Sequence, residues 1–274
     1  MDQVNALKTW CNVYIKSAES MEEVKDSSIQ LAVTSLADRH IVPPPEERGR
    51  GPDESKDLIL GRILLIRNLY PYLASRMREV WRVLKDDGLF FLNIGSPVRY
   101  WKMSAFSVIW PYYVSEYIIL ESPLQLRRVF VMAPDKIYGA VPEEIENRMI
   151  SVHEFFFMFS KGDNWKMNLE EGIYLPSILP YSRDPEPIIE KYRSTGVSLS
   201  TPFARDVIRE ILATFTEKGD TVLDPCAGIG TLAVEANKLG RNAILYEIDK
   251  KLVPVIEEFV RNPETELAIS QTDP

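Results

Sequence analysis

Three features of the 274-residue sequence predict an α/β fold with a doubly wound, mostly parallel sheet and an antiparallel hairpin. The segment Asp220 to Val260 alternates strand, loop, helix, strand and helix, which is a βαβα unit. Leu89-Phe-Phe-Leu-Asn-Ile94 is an almost unbroken apolar run, the pattern of a strand covered on both faces. Hydrophobic residues make up 45% of the chain, enough for a sizeable core, yet no stretch approaches the roughly 18 apolar residues that a membrane span needs.

Val13-Tyr-Ile15 and Ile29 to Thr34 read as short strands separated by the acidic turn region Glu19 to Lys25. Arg39 to Lys56 mixes Pro43, Pro44, Pro45, Gly49, Gly51 and Pro52 with charges, so a loop is expected there. From Asp57 to Lys85, Ile59, Ile63, Ile66, Leu69, Leu73, Met77, Val80 and Leu84 recur at helical spacing, with Pro71 kinking or restarting the helix. The other face carries Arg62, Arg67, Arg76, Arg78 and Arg82, which read first as a solvated face and second as a nucleic-acid patch. Asp86-Asp-Gly88 then turns the chain into the apolar strand.

Val129 to Met132 and Glu154 to Phe159 are further strands, able to pair as a hairpin across a long connection. Leu175 to Ser200 lacks periodicity and reads as a crossover loop. Thr201-Pro202 supplies a cap and a first-turn proline for a helix whose stripe is Phe203, Val207, Ile208, Ile211, Leu212 and Phe215. The expectation is one domain over 1–274, with an acceptor half at 1–170, the crossover at 175–200, a donor-binding half at 201–262 and a flexible tail at 263–274.

Two cysteines and two histidines leave little material for a disulfide scaffold, a zinc site or a Ser-His-Asp triad, and no metal is expected. The net charge of −8 gives no general attraction to a polyanion, so a nucleic-acid partner would need a local basic patch. The opening Met-Asp-Gln-Val-Asn has no basic flank before an apolar run, which sets cytoplasm as the expected location, without membrane association. Monomer and homodimer stay open.

Asp224-Pro225-Cys226-Ala227-Gly228-Ile229-Gly230-Thr231 has the layout of a strand-to-helix cofactor loop. Gly228 and Gly230 let the backbone turn sharply and approach a ligand, and the helix that follows presents free N–H groups. Glu247 ends the next strand, where a carboxylate can accept both hydroxyls of a ribose. Gly228-x-Gly230-x-x-Ala233 also satisfies the dinucleotide fingerprint. Asp224 tips the balance toward S-adenosylmethionine, because a carboxylate suits that donor's α-ammonium group and repels a pyrophosphate.

With these residues in view, the chain resembles the β-class amino-methyltransferases, whose motifs are circularly permuted and which methylate exocyclic nitrogens of cytosine or adenine in nucleic acid. The resemblance runs over most of the chain. Asp26 to Ser35 is similar to the approach to the family's early Ser-Pro-Pro-Tyr motif, and Glu79 to Gly95 to its next helix and strand. His153 to Lys161 is similar to a later strand, and Leu199-Ser-Thr-Pro-Phe203 stands where a His-Pro-x-x-Phe-Pro element precedes the donor loop. The resemblance implies a Rossmann-like, permuted class I methyltransferase. It assigns Asp224, Gly228, Gly230 and Thr231 to the methionine end of the donor, Glu247 to its ribose, Thr201 and Phe203 to the methionine pocket, and Asp26 to the adenine amine, with Pro225 and Ala227 as further cofactor-binding residues of the loop.

The early motif departs from the family, reading Ser35-Leu36-Ala37-Asp38. The resemblance implies that Ser35 and the Leu36 carbonyl accept hydrogen bonds from the target amine; Asp38 is either a further acceptor or a solvated carboxylate. The aromatic ring that stacks on a flipped base is missing, with His40, Tyr100, Trp101 and Phe203 as available substitutes. Arg39, His40, Arg48, Arg50, Arg76, Tyr100 and Trp101 are the candidate nucleic-acid contacts. A serine-first motif belongs mainly to enzymes acting on the cytosine N4 amine. The acidic charge and the altered loop lean slightly to structured RNA over DNA. DNA N4-cytosine or N6-adenine methylation, a small-molecule methyltransferase and a catalytically inactive nucleic-acid-binding relative are the alternatives.

Overall fold

The computed structural model describes residues 8–36, 70–94, 105–134, 153–170, 175–182, 204–262 and 265–271. Its strands are β1 (Thr9–Ile15), β2 (Ile29–Leu36), β3 (Leu84–Ile94), β4 (Gln125–Pro134), β5 (Glu154–Ser160), β6 (Ile178–Tyr181), β7 (Thr221–Asp224), β8 (Asn242–Tyr246) and β9 (Thr265–Gln271). Its helices are α1 (Tyr70–Val83), α2 (Ala105–Glu121), α3 (Arg205–Phe215), α4 (Thr231–Lys238) and α5 (Val253–Val260), the last preceded by a 3-10 turn at Lys250–Leu252.

The strands form one nine-stranded sheet in the order β6-β4-β5-β3-β2-β7-β8-β1-β9. Among the described strands β5 alone runs against the rest, antiparallel to β3 and β4, and this is the expected hairpin. The helices cover both faces over two cores. Leu31, Val33, Phe91, Phe156, Val222, Ile211 and Leu232 belong to one, while Ala32, Phe90, Phe157, Leu223, Leu73 and Val114 belong to the other. Alternate residues of β2, β3 and β5 enter opposite cores, which is why the middle of each strand is apolar on both faces.

The chain passes from β2 to β3 on one side and from β7 to β8 on the other, while β2 and β7 lie side by side in parallel. A doubly wound sheet has its ligand crevice at such a reversal, beyond the carboxyl ends of the strands. Ser35 and Leu36, Asp224, and Tyr246 with Glu247 stand at that edge.

Several expectations are corrected. The tail expected to be flexible contains β9, paired in parallel with β1 from Thr9↔Thr265 to Ile15↔Gln271. Its half-apolar alternation becomes a strand once the β1 edge and α5 are present to cover Leu267 and Ile269. The crossover contains β6, which extends β4 through Val131↔Ile178 and Pro134↔Tyr181. Helix α2 has an interior proline, Pro111, and apolar residues nearly all round, so no periodic stripe announces it. Asp86-Asp-Gly88 is not a turn before the strand but an excursion within β3, since Ile29 pairs with Leu84 and Leu31 with Leu89.

Candidate active site

The loop from Asp224 to Thr231 is shaped by its glycines. Gly230 caps α4 in the left-handed region, at φ 88°, and a β-carbon there would meet Val260 Cγ2 at 2.8 Å. Gly228 has φ 55°, and its missing β-carbon points into open space. Gly230 is therefore required by packing and backbone together, while Gly228 keeps an approach clear. The Ala227 amide donates to the Tyr246 carbonyl (2.9 Å), tying the loop to the end of β8.

Glu247, buried beside this loop, accepts from the amide of Gly228 at Oε2 (2.8 Å) and from that of Asp249 at Oε1 (2.9 Å). The carboxylate is thus aimed by two backbone N–H groups. Ile248, next to it, is a large apolar side chain left 54% exposed.

Asp224 is buried, and its Oδ1 accepts from the Cys226 amide at 2.9 Å. Burial pushes its carboxyl up to about 7, and the charge of Glu247 adds to the rise, while the Cys226 amide and the nearby Thr34 hydroxyl oppose it. Thr34 Oγ1 is itself buried and makes no hydrogen bond of good geometry among the described residues. A cationic ligand group would hold Asp224 ionised, and a ligand donor would satisfy Thr34. With the open space at Gly228, this donor set fits the α-ammonium and ribose of S-adenosylmethionine. The neighbouring Cys226 thiol is pushed up to about 11 by burial, which makes it no nucleophile.

Helix α1 covers the loop from the acceptor half. The Tyr72 hydroxyl lies 3.3 Å from Cys226 Sγ. The Arg76 guanidinium lies 3.4 Å above the Tyr72 ring. That arginine is a correction to the nucleic-acid contacts: it is 4% exposed and binds Glu19 Oε1 (2.9 Å), Ser17 Oγ (2.7 Å) and the Tyr72 carbonyl (2.7 Å). Its face of α1 is the buried one, so it braces the site from inside.

Asp26 is a second correction. It lies before the amino end of β2, opposite the crevice edge, 73% exposed and paired with Arg82. The edge that could hold an adenine ring instead carries Ile248 and the carboxyl end of β1.

Ser35, at the end of β2, donates its hydroxyl proton to Asn93 Oδ1 at 2.7 Å. Asn93 Nδ2 in turn donates to Glu154 Oε2 at 2.9 Å. Ala32 pairs with Leu223, so Ser35 stands two residues farther along its strand than Asp224, about 7 Å at the rise of a parallel strand. Pro225, Ala227 and Thr231 lie in the loop or at its helix start as expected, and Leu36 is the last residue of β2. Asp38, Arg39, His40, Arg48, Arg50, Tyr100, Trp101, Thr201 and Phe203 lie outside the described residues.

A profile of a DNA methylase family, the N6/N4 type, matches residues 66–258. The chain belongs to the N6/N4 DNA methylase family. The Type II methyltransferase M.MjaI of Methanocaldococcus jannaschii is 27% identical over 89% of this chain and 88% of its own length. Among solved structures, the PvuII DNA methyltransferase (cytosine-N4-specific) superposes with a TM-score of 0.68 at 19% identity, covering 96% of each chain. A Thermus thermophilus protein in complex with S-adenosyl-L-methionine superposes with a TM-score of 0.58 at 16% identity, covering 96% of this chain and 99% of its own. The protein is an S-adenosylmethionine-dependent DNA methyltransferase of N4/N6 type. DNA thus replaces the expected lean to RNA, which rested on the acidic charge and the altered loop, neither of which distinguishes the two polymers. No helix among the described residues is long and apolar enough to cross a membrane.

Proposed function

We propose that the protein methylates the N4 amine of cytosine in DNA. The observation that carries this reading is the direction of the Ser35 hydrogen bond. Its single proton is committed to Asn93, so its lone pairs are what it offers to the crevice. An exocyclic amine is a poor nucleophile while its lone pair is delocalised into the ring, and acceptors that draw on its N–H groups free that pair. Ser35 Oγ and the Leu36 carbonyl serve as those acceptors. The cytosine-N4 specificity of the PvuII enzyme, with its similar fold, supports the same base.

S-adenosylmethionine, when bound, supplies a methyl group made electrophilic by its sulfonium. Asp224 and the Thr34 hydroxyl bind its amino-acid end, Glu247 holds its ribose, and Ile248 offers an apolar surface to its adenine. Both carboxylates are buried, and buried carboxylates favour a cationic ligand. The target amine gains the methyl group and gives up one proton to solvent. Ser35 stays neutral throughout, orienting the amine without taking its proton.

Incubation with isotope-labelled donor and unmethylated DNA, followed by digestion to nucleosides, tests the reading. Label in N4-methylcytosine is expected. Label confined to N6-methyladenine would overturn the choice of base.

A further inference from the structure

Asn93 interrupts a strand whose neighbours Leu89, Phe90, Phe91, Leu92 and Ile94 are all buried, and it is itself 4% exposed. Burying a primary amide is costly unless every polar atom finds a partner, and an apolar residue would serve the sheet better. Its side-chain partners Ser35 and Glu154 come from β2 and β5, the strands on either side of its own. Ser35 is opposite Asn93 across the β2–β3 ladder, and Asn93 is opposite Phe156 across β3–β5. Glu154, two residues before Phe156, therefore falls on the same sheet face.

We propose that Glu154 and Asn93 are positioning residues for the methyl acceptor, fixing the direction of the Ser35 hydrogen bond. This inference rests on the amine-accepting role of Ser35 proposed above. Glu154 Oε2 accepts from the NH2 end of the Asn93 amide at 2.9 Å and so selects which end of that amide faces it. The same NH2 group also faces Met132 Sδ and the Phe155 carbonyl, both at 3.4 Å. Acceptors thus surround that end, and Oδ1 is the end turned to Ser35 at 2.7 Å. With the amide reversed, Ser35 would accept from Nδ2 and point its own proton at the target, where it would repel the amine's N–H. Asn93 takes no proton, so the relay sets polarity and moves no charge.

Reversing the polarity of the relay tests this. Glu154→Gln can present either end of its amide and no longer dictates the orientation of Asn93. Asn93→Asp sets two carboxylates against each other. Each single variant should lower kcat at least about tenfold, part of the roughly 10²–10³ that loss of one oriented hydrogen-bonding group costs. Donor affinity by calorimetry and KM for DNA should be unchanged, because the relay touches neither ligand. Glu154→Gln should also keep Tm, whereas Asn93→Asp buries a second carboxylate against the first and should lower it.

The double variant Asn93→Asp with Glu154→Gln restores a donor facing an acceptor and an acceptor facing Ser35, so kcat should recover to within about threefold of the parent. A purely structural role predicts instead that kcat in Glu154→Gln falls only where Tm falls with it. A double variant no faster than the slower single, or parental kcat in Glu154→Gln, would overturn the relay. Nucleoside analysis of the unaltered protein's product tests the base separately: label on adenine N6 would remove the cytosine assignment, while the kcat pattern would still decide the relay. Absence of transfer to DNA would overturn both.

Discussion

Gly228 and Gly230 both sit at positive φ two residues apart, yet alanine at each should fail in a different way. At Gly230 an added methyl group would sit 2.8 Å from Val260 Cγ2 and 3.3 Å from Leu245 Cδ1, inside a packed core. Left-handed backbone costs about 1–2 kcal/mol for an L-residue. Overpacking adds about 1–3 kcal/mol. Gly230→Ala should therefore destabilise the protein by about 2–5 kcal/mol, lowering Tm by roughly 4–20 °C at about 2–4 °C per kcal/mol. At Gly228 the methyl group meets nothing within 4 Å. Gly228→Ala should carry only the backbone cost, about 1–2 kcal/mol, while its methyl group intrudes where the donor lies. Donor affinity should then fall at least about tenfold, a loss of about 1.4 kcal/mol or more. Thermal unfolding paired with calorimetry of donor binding reads both effects. Equal Tm losses with unchanged donor affinity in Gly228→Ala would refute the assignment of that open space to the donor.

Asp224 supplies a pH dependence with two opposite signs. Its carboxyl is raised from 3.8 to about 7, so the folded protein holds this proton more tightly than the unfolded chain. Stability from this group should be full below 3.8, decline as pH rises toward about 7 and level off above it. Donor affinity should rise over the same interval as the carboxylate forms to meet the ammonium, and calorimetry from about pH 5 to 8 checks this. Asp224→Asn should raise Tm of the free protein at about pH 8 and weaken donor binding. Ile248→Ala should leave Tm unchanged and raise the donor Kd several-fold, since that side chain is more than half exposed. Arg76→Ala should lower stability by about 1–3 kcal/mol through its lost buried hydrogen bonds, measured by urea unfolding, with no direct loss of DNA contact.

The donor half was legible because its chemistry is contiguous. Asp224, both glycines and Glu247 fall within one βαβ unit, where spacing alone fixes geometry. The acceptor half was not. Ser35 and Asn93 are 58 residues apart, and Asn93 and Glu154 are 61 apart, so only strand register shows that they touch. The single clue in sequence was the asparagine within an apolar strand. Arg76 looked like one of several surface arginines because α1 offers no hint that Ser17 and Glu19, beyond β1, reach across to it. Asp26 was placed by motif order, and strand direction puts it at the wrong end of β2. The missing stacking ring of Ser35-Leu36-Ala37-Asp38 has its candidate replacements outside the described residues.

The central claim is that the crevice between β2 and β7 brings S-adenosylmethionine to a cytosine N4 amine held by Ser35. Quantifying methylated nucleosides by mass spectrometry after incubating the parent and Ser35→Ala with donor and unmethylated DNA tests it most directly. The account predicts N4-methylcytosine from the parent, with a rate reduced about 10²-fold or more in Ser35→Ala and unchanged donor affinity. Methylation of adenine alone, or parental rates in Ser35→Ala, would contradict it.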